Sequence, residues 1–381
     1  MTAAFWVLVG IVFYVYFAYP ILVGLLSRVR PFKVNRQPDE PDISLVVAAY
    51  NEEEAIEKKI QNTLSLDYPK ERLEVIVVSD GSTDKTADVA RRFETEGVKV
   101  VELPQNMGKS EAQNAGMAEA GAGLLVFADA DIMLKEDALR NLTSYMADDR
   151  VGCVIGRHTF ENPDTPGVAQ GEGAYWRYES KLRGFESRAG NLAVGSGILG
   201  IRRELASKLD PDVGEDMVLP LQTAIACRKV IYAQDVVSYN VVLPDQASQL
   251  LRVKARIVSK DLRGLWLNRA ILNPLKYPLY SWGLVSHKLL RWFVPFFLLG
   301  ILFTNCWLLG NLSYLALFLA QLVFYILALA GFYIGTEGPK QLRIIAVVLS
   351  FCVVNIAAML GVLRFLSGRR SGRWVPIRER N

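Results

Sequence analysis

Charge is missing from three long stretches of this 381-residue chain: Thr2 to Ser27, Phe293 to Ile334, and Ile344 to Leu363. A helix rises about 1.5 Å per residue and a bilayer core is about 30 Å thick, so about 20 apolar residues cross once. The middle run holds 42 residues, enough for two crossings with a turn at Gly310-Asn311. One crossing before and three after a polar middle are expected, which excludes a soluble cytoplasmic protein and a small secreted one. Cysteine is scarce. Cys153, Cys227, Cys306 and Cys352 form no CxxC pair, and two fall in the apolar runs. They read as small buried hydrophobes, not metal ligands or a disulfide framework. An excess of one charge is also lacking: 43 basic and 39 acidic residues leave +4, too mild to argue for nucleic acid. Repeats and low-complexity stretches are absent.

No charge precedes the first apolar run, so it is not a signal peptide. Arg28, Arg30, Lys33 and Arg36 follow it, and the positive-inside bias places them in the cytosol. The amino terminus is then outside and the polar middle cytosolic. The expected divisions are a membrane helix (1–27), a basic, Pro-rich linker (28–41), a soluble domain (42–245), amphipathic interface helices (246–288), three membrane helices (289–366) and a basic tail (367–381). Four crossings put that tail outside, yet Arg364, Arg369, Arg370, Arg373, Arg378 and Arg380 crowd it. A re-entrant segment reconciles the two.

Within the soluble part, Ile43–Ala49 reads as a buried strand, because small and β-branched residues run without alternation. Glu52–Leu64 has helical spacing. Val75–Val78, Val98–Leu103 and Leu124–Phe127 read as further strands, with helices from about Thr83 to Phe93 and from Ser110 to Ala120. Alternating strands and helices predict an α/β fold with a mainly parallel sheet, whose ligands sit at the carboxyl ends of the strands. Asp80, Asp129 and Asp131 all fall there. Two carboxylates one residue apart suit a hard cation such as Mg²⁺ or Mn²⁺ bridging to phosphates. Gln105-Asn106-Met107-Gly108-Lys109-Ser110 resembles half a phosphate loop, but Leu103 stands where a Walker loop needs glycine. Lys109 is still placed to reach a diphosphate near a helix start. Glu215-Asp216 reads either as an acid pair at a helix start or as the source of a general base. Two basic amphipathic stretches, Ala174–Arg188 and Gln249–Arg269, read as interfacial.

In order and spacing, Val46-Val47-Ala48-Ala49-Tyr50-Asn51-Glu52-Glu53, Val77-Val78-Ser79-Asp80-Gly81-Ser82-Thr83-Asp84, Asp129-Ala130-Asp131 and Gly214-Glu215-Asp216 resemble the motifs of membrane-bound family 2 glycosyltransferases. That family has a GT-A fold and includes hyaluronan, chitin-oligosaccharide and cellulose synthases. The resemblance implies that Ala49, Tyr50, Glu52 and Asp80 hold the nucleotide, with Lys109, Asp129 and Arg252 also on the donor side. It implies that Asp131 with Asp129 carries Mg²⁺ or Mn²⁺, and that Asp216 is the catalytic base. Gly195, Ser196, Glu215 and Gln249 would face the acceptor. Gln249-Leu250-Leu251-Arg252-Val253 keeps the Gln and Arg of the family's QxxRW but has Val253 for the acceptor-stacking Trp, with Trp176 and Trp266 as candidate substitutes. Trp374 and Arg378, with three residues between them instead of two, loosely match a Trp-x-x-Arg tail. The expected activity is inverting transfer from a nucleotide-diphosphate sugar, a UDP-sugar by family, to a growing polysaccharide, at a bacterial-type inner membrane. The alternatives are one transfer to a polyprenyl phosphate or other lipid, and a binding subunit with a degenerate site. Expected partners are donor, glycan or lipid-linked acceptor, and membrane lipids, with no nucleic acid and with room for a protein partner.

Overall fold

The computed structural model describes residues 1–160, 168–195, 197–240, 247–334 and 342–369. Ser196 and the tail residues Trp374 and Arg378 therefore lie outside the described residues.

The chain begins with two helices, α1 (Thr2–Phe13) and α2 (Tyr19–Val29), joined by a π turn at Tyr14–Ala18 into one long apolar rod. Strand β1 (Ile43–Ala49) is buried along its whole length, which explains the unbroken apolar run. Helix α3 (Glu53–Leu64), β2 (Leu73–Ser79), α4 (Thr86–Arg91), β3 (Val98–Glu102), α5 (Lys109–Glu119) and β4 (Leu124–Phe127) follow. Then come β5 (Ile132–Leu134), α6 (Ala138–Met146), β6 (Val151–Phe160), α7 (Val168–Ala189), β7 (Leu199–Arg202), α8 (Glu215–Ile225) and β8 (Lys229–Asn240). Helix α9 (Ala247–Leu267) leads through α10 (Pro278–Gly283) and a second π turn (Leu284–Leu289) into α11 (Leu290–Cys306), α12 (Leu312–Ile334) and α13 (Leu342–Leu366).

One eight-stranded sheet runs in the order β3-β2-β1-β4-β7-β6-β8-β5. Strands β3, β2, β1 and β4 are parallel, with Ile43 opposite both Leu73 and Leu124. Beyond β4 the sheet is mixed: β7 is antiparallel to β4 and β6, β5 is antiparallel to β8, and only β6 and β8 are parallel there. The expectation of a mainly parallel sheet holds: four of the seven pairings are parallel, and the three antiparallel ones all lie beyond β1. Alternate residues of β1 feed two cores. Val46 and Ala48 pack with Ala112 and, across that core, Met217 and Leu262. Leu45 and Val47 pack with Ile56, Ile60, Leu139 and Leu142.

The chain leaves β4 in mid-sheet and re-enters as β5 at the edge, and Asp129-Ala130-Asp131 make that passage. Helix α3 clamps β5: Asn62 Nδ2 donates to Leu134 O (2.9 Å) and its Oδ1 accepts from Leu134 N (2.8 Å).

Among the described residues, four helices are long and apolar enough to cross a membrane: Thr2–Val29, Pro278–Cys306, Leu312–Tyr333 and Ile345–Leu366. The turn between the second and third falls at residues 307–311, where the sequence places it. The amphipathic helix α7 is covered by protein instead of lying open on one face. Leu182 and Ala189 pack with Tyr19 and Val23, and Phe185 packs against Gly24. Its buried acids Glu179 and Glu186 meet His287, and Glu179 also bonds Arg291 Nη1 (2.9 Å). The two π turns touch here, with Tyr14 Oη and Ser286 Oγ 2.8 Å apart.

Candidate active site

The carboxyl ends of β1, β2 and β4 meet at one basin. Asn51, just past β1, has φ of +52° and reaches the turn after β2: its N–H donates to Ser82 Oγ (3.2 Å) and its Oδ1 accepts from Thr83 N (2.9 Å). Glu52 N donates to Thr86 Oγ1 (2.8 Å). The first two sequence motifs are therefore stitched to each other by backbone amides on side-chain oxygens. Asp80 is fully buried, and its two oxygens accept from the amides of Met107 (2.8 Å) and Gly108 (2.8 Å). Burial pushes its pKa up against those two bonds. Its visible work is to hold the loop that delivers Lys109. Gly81 makes this approach feasible: φ is +62°, and a Cβ there would stand 2.3 Å from the backbone of Gln105.

Lys109 opens α5 and joins two motifs that are 86 residues apart in sequence. Its Nζ lies 2.5 Å from Asp129 Oδ1 and 2.7 Å from Glu215 Oε1. Burial opposes its charge, and the two carboxylates overcome this and hold its pKa up. Helix α5 also fixes the approach to α8. Asn114 exchanges two hydrogen bonds with the backbone of Leu209, and Ser110 Oγ donates to Val213 O (2.8 Å).

Asp216 sits in the first turn of α8, half-buried. Burial, then the neighbouring Glu215, push its pKa up to about 6. Gly195 N donates to Asp216 O (2.6 Å), so the loop before β7 lies against the first turn of α8.

Asp129 and Asp131 are half-buried at the end of β4. No group of three His, Cys, Asp or Glu that would ligate a metal occurs among the described residues. Two carboxylates with oxygen donors do fit a hard cation whose remaining ligands are phosphate oxygens and water. The Lys109 ammonium on Asp129 already stands where positive charge is wanted.

On α9, Gln249 is half-buried and Arg252 exposed, and among the described residues no hydrogen bond or ion pair holds Arg252. Further along, Lys260 turns toward the basin. Burial, then Arg256 and Lys109 as like charges, lower its pKa. Beside Val253, the Lys254 ammonium lies 5.0 Å from the ring of Tyr175 and 5.5 Å from that of Trp176. Trp266 is exposed at the other end of the helix under Arg269.

Three groups escaped the sequence reading. Lys59 is fully buried beneath the acidic turn, donates to Ile132 O (2.6 Å), and has its pKa lowered to about 8 by burial, against the pull of Asp129 and Asp131. Its signal was visible: it falls on the same helical stripe as Ala55, Ile56, Ile60 and Thr63. Asp261 and Lys260 had only their place on a basic helix to mark them.

Residues 44–210 match the model of the family described as Glycosyl transferase family 2. Among curated proteins, the chain is 30% identical over 253 residues to the N-acetylglucosaminyltransferase of Rhizobium meliloti (strain 1021), covering 62% of this chain and 59% of that protein. It is 30% identical over 165 residues to the poly-beta-1,6-N-acetyl-D-glucosamine synthase of Staphylococcus aureus (strain COL), covering 42% and 37%. The matches thus span from about a third to three-fifths of these relatives. The solved structure of mannosyltransferase PcManGT from Pyrobaculum calidifontis, in complex with GDP-Man and Mn²⁺, superposes with a TM-score of 0.73 at 23% identity, over 96% of this chain and 100% of that one. With its parallel half-sheet and acidic passage after β4, the chain carries a glycosyl transferase family 2 domain on a GT-A fold.

Proposed function

We propose that the protein is an inverting glycosyltransferase that moves a sugar from a nucleotide-diphosphate sugar to a growing glycan at the membrane. The observation that carries this reading is the Lys109 bridge, which ties the Asp129–Asp131 turn to the segment bearing Asp216. Diphosphate-side and base-side groups thereby face one basin.

The acceptor hydroxyl attacks C1 of the donor sugar while Asp216 takes its proton. The bond from C1 to the diphosphate oxygen breaks, and its electron pair leaves with the diphosphate. Lys109 and the cations of α9, Arg252, Arg256 and Lys260, are assigned to the negative charge that develops on the leaving group. Asp129 and Asp131 would hold Mg²⁺ or Mn²⁺, which when bound supplies electrostatic stabilisation of the leaving group. Ala49, Tyr50 and Glu52 are assigned to the nucleotide, with Asp80 shaping the loop beside it. Gly195, Ser196, Glu215 and Gln249 are assigned to the acceptor side.

Both curated relatives are named for N-acetylglucosamine, so that sugar is the first donor to test, and GDP-mannose the second. Purified protein in Mg²⁺ or Mn²⁺ is screened with radiolabelled nucleotide sugars and the product sized. Transfer that lengthens a glycan without added lipid supports the reading. Strict dependence on a lipid acceptor moves the assignment to single transfer. No transfer from any donor overturns both.

The catalytic domain is placed in the cytosol, because Arg28, Arg30, Lys33 and Arg36 follow the first apolar helix. The packing of α13 favours the re-entrant alternative for the fourth apolar stretch. Leu349 and Val353 pack with Leu250, and a Cβ on Gly361 would stand 2.7 Å from Val258 Cβ. Helices α9 and α13 thus run side by side in the same direction. A helix flanking Arg252, Lys254, Arg256 and Lys260 stays at the level where those charges are solvated.

A further inference from the structure

Helix α9 turns one acid inward. Asp261 is 9% exposed, and among the described residues no hydrogen bond or ion pair reaches its carboxyl group. A buried, unpaired carboxylate is costly, so such a group keeps its proton or has a partner that shares one. The neighbour is Asp216. A Cβ built on Gly214 would lie 2.5 Å from Asp216 Oδ1 and 3.9 Å from Asp261 Oδ1, so both carboxyls crowd one point above the start of α8. Helix α9 is held there by Gly264, whose Cβ position is 3.0 Å from Val218 Cγ2. Among the described residues, the charged groups that act most strongly on the pair are Glu215 on α8, Lys109 on α5, Arg183 on α7 and Lys288 in the second π turn. Each of these is ion-paired elsewhere: Lys109 with Asp129 and Glu215, and Arg183 and Lys288 with Glu179.

We propose that Asp261 is the positioning residue of the base: it keeps one proton through neutral pH and presents it to Asp216, so that the pair carries a single negative charge aimed at the acceptor. This rests on the reading of Asp216 as general base. Burial, then Asp216, push the pKa of Asp261 up, and burial, then Glu215, push that of Asp216 up, so the two groups titrate as a pair, with the proton on the more buried Asp261 and the charge on Asp216 at the start of α8. The proton balance is simple. The acceptor hydroxyl gives its proton to Asp216 as the bond to C1 forms, the pair is then doubly protonated, and one proton returns to solvent after transfer.

The test is the pH dependence of kcat in the full-length protein, with donor KM measured alongside. Wild type is expected to show an acid limb near 6 and a second step near 8. Asp261→Asn, which keeps the shape and a donor but does not ionise, is expected to lose the upper step, keep the acid limb, and change kcat at pH 7 by less than about tenfold with donor KM unchanged. An upper step unmoved in Asp261→Asn overturns the proposal. Asp261→Glu guards against misfolding of that variant: its upper step is expected at a shifted pH, and an unshifted step also overturns it. Infrared difference spectra give a readout without turnover. A protonated carboxyl band that persists to about pH 8 and is lost in Asp261→Asn supports the pair, and its absence in wild type at pH 7 sinks it. If no donor is turned over, the activity reading fails while the infrared arm still decides the pair.

Discussion

At the scale of single residues, two lysines organise the acids. Lys109 faces the basin, while Lys59 lies behind it with no solvent. Because the folded-state pKa of Lys59 is about 8 and its unfolded value 10.5, the unfolded chain binds more protons between those values, and stability attributable to this residue rises with pH across that window. Wild type is therefore expected to gain thermal stability relative to Lys59→Met as pH goes from 8 to 10. Parallel melting curves over that range exclude the effect. Asp216→Asn is expected to cost at least ~100-fold in kcat with donor binding nearly unchanged, whereas Glu215→Gln, which frees one side of Lys109, should raise donor KM as well. Initial-rate kinetics separate the two, and equal kcat for Asp216→Asn and wild type refutes the base. The acidic motifs were readable because each ends a strand or starts a helix. Asp261 was not, since a lone acid on a basic amphipathic helix has the sequence signature of a solvated face.

At the scale of elements, the first four strands were legible because each is an unbroken apolar run between loop signals. The second half of the sheet was not. Strands β7 and β8 draw their meaning from partners far away in sequence, and β5, three residues long, has no pattern of its own. The loop from Gln105 to Gly108 shows how one element serves another. Gly81→Ala places a Cβ against the Gln105 backbone and is expected to pull the Met107 and Gly108 amides off Asp80, displacing Lys109. A several-fold rise in donor KM is the expected result, and an unchanged KM contradicts the account. For the acceptor, Trp176 lies beside Lys254, the neighbour of Val253, and Trp266 is distant. Trp176→Ala should shorten the products and Trp266→Ala should not, as gel sizing would record.

At the scale of the whole molecule, the native cysteines report the membrane arrangement. Cys227 is exposed on the catalytic domain and Cys306 at the end of α11. In intact cells an impermeant maleimide is expected to label Cys306 and spare Cys227, and in inverted vesicles the reverse. With those cysteines replaced, Ser367→Cys should label from the same side as Cys227 if α13 is re-entrant. Labelling from the opposite side means that α13 crosses. The apolar runs themselves were legible by length and lack of charge, but hydropathy does not say what a helix packs against. In α13, 56% of the most apolar stretch is buried in protein, against 11% in Leu312–Tyr333.

The touching π turns have a consequence for how these apolar helices tolerate change in length. A π turn holds one residue more than an α turn, so everything after it is rotated by about 100° about the helix axis. Tyr19, just beyond the first π turn, gives its hydroxyl to Glu186 (2.6 Å), and His287, within the second, places Nδ1 2.9 Å from the same carboxylate. One acid of the catalytic domain thus reads the angular phase of two long apolar helices at once. Removing a single residue from either turn would restore a regular helix and swing its contact off Glu186, so the joint between domain and membrane is set by rotation, as a key is by its teeth, more than by the hydrophobic length on either side.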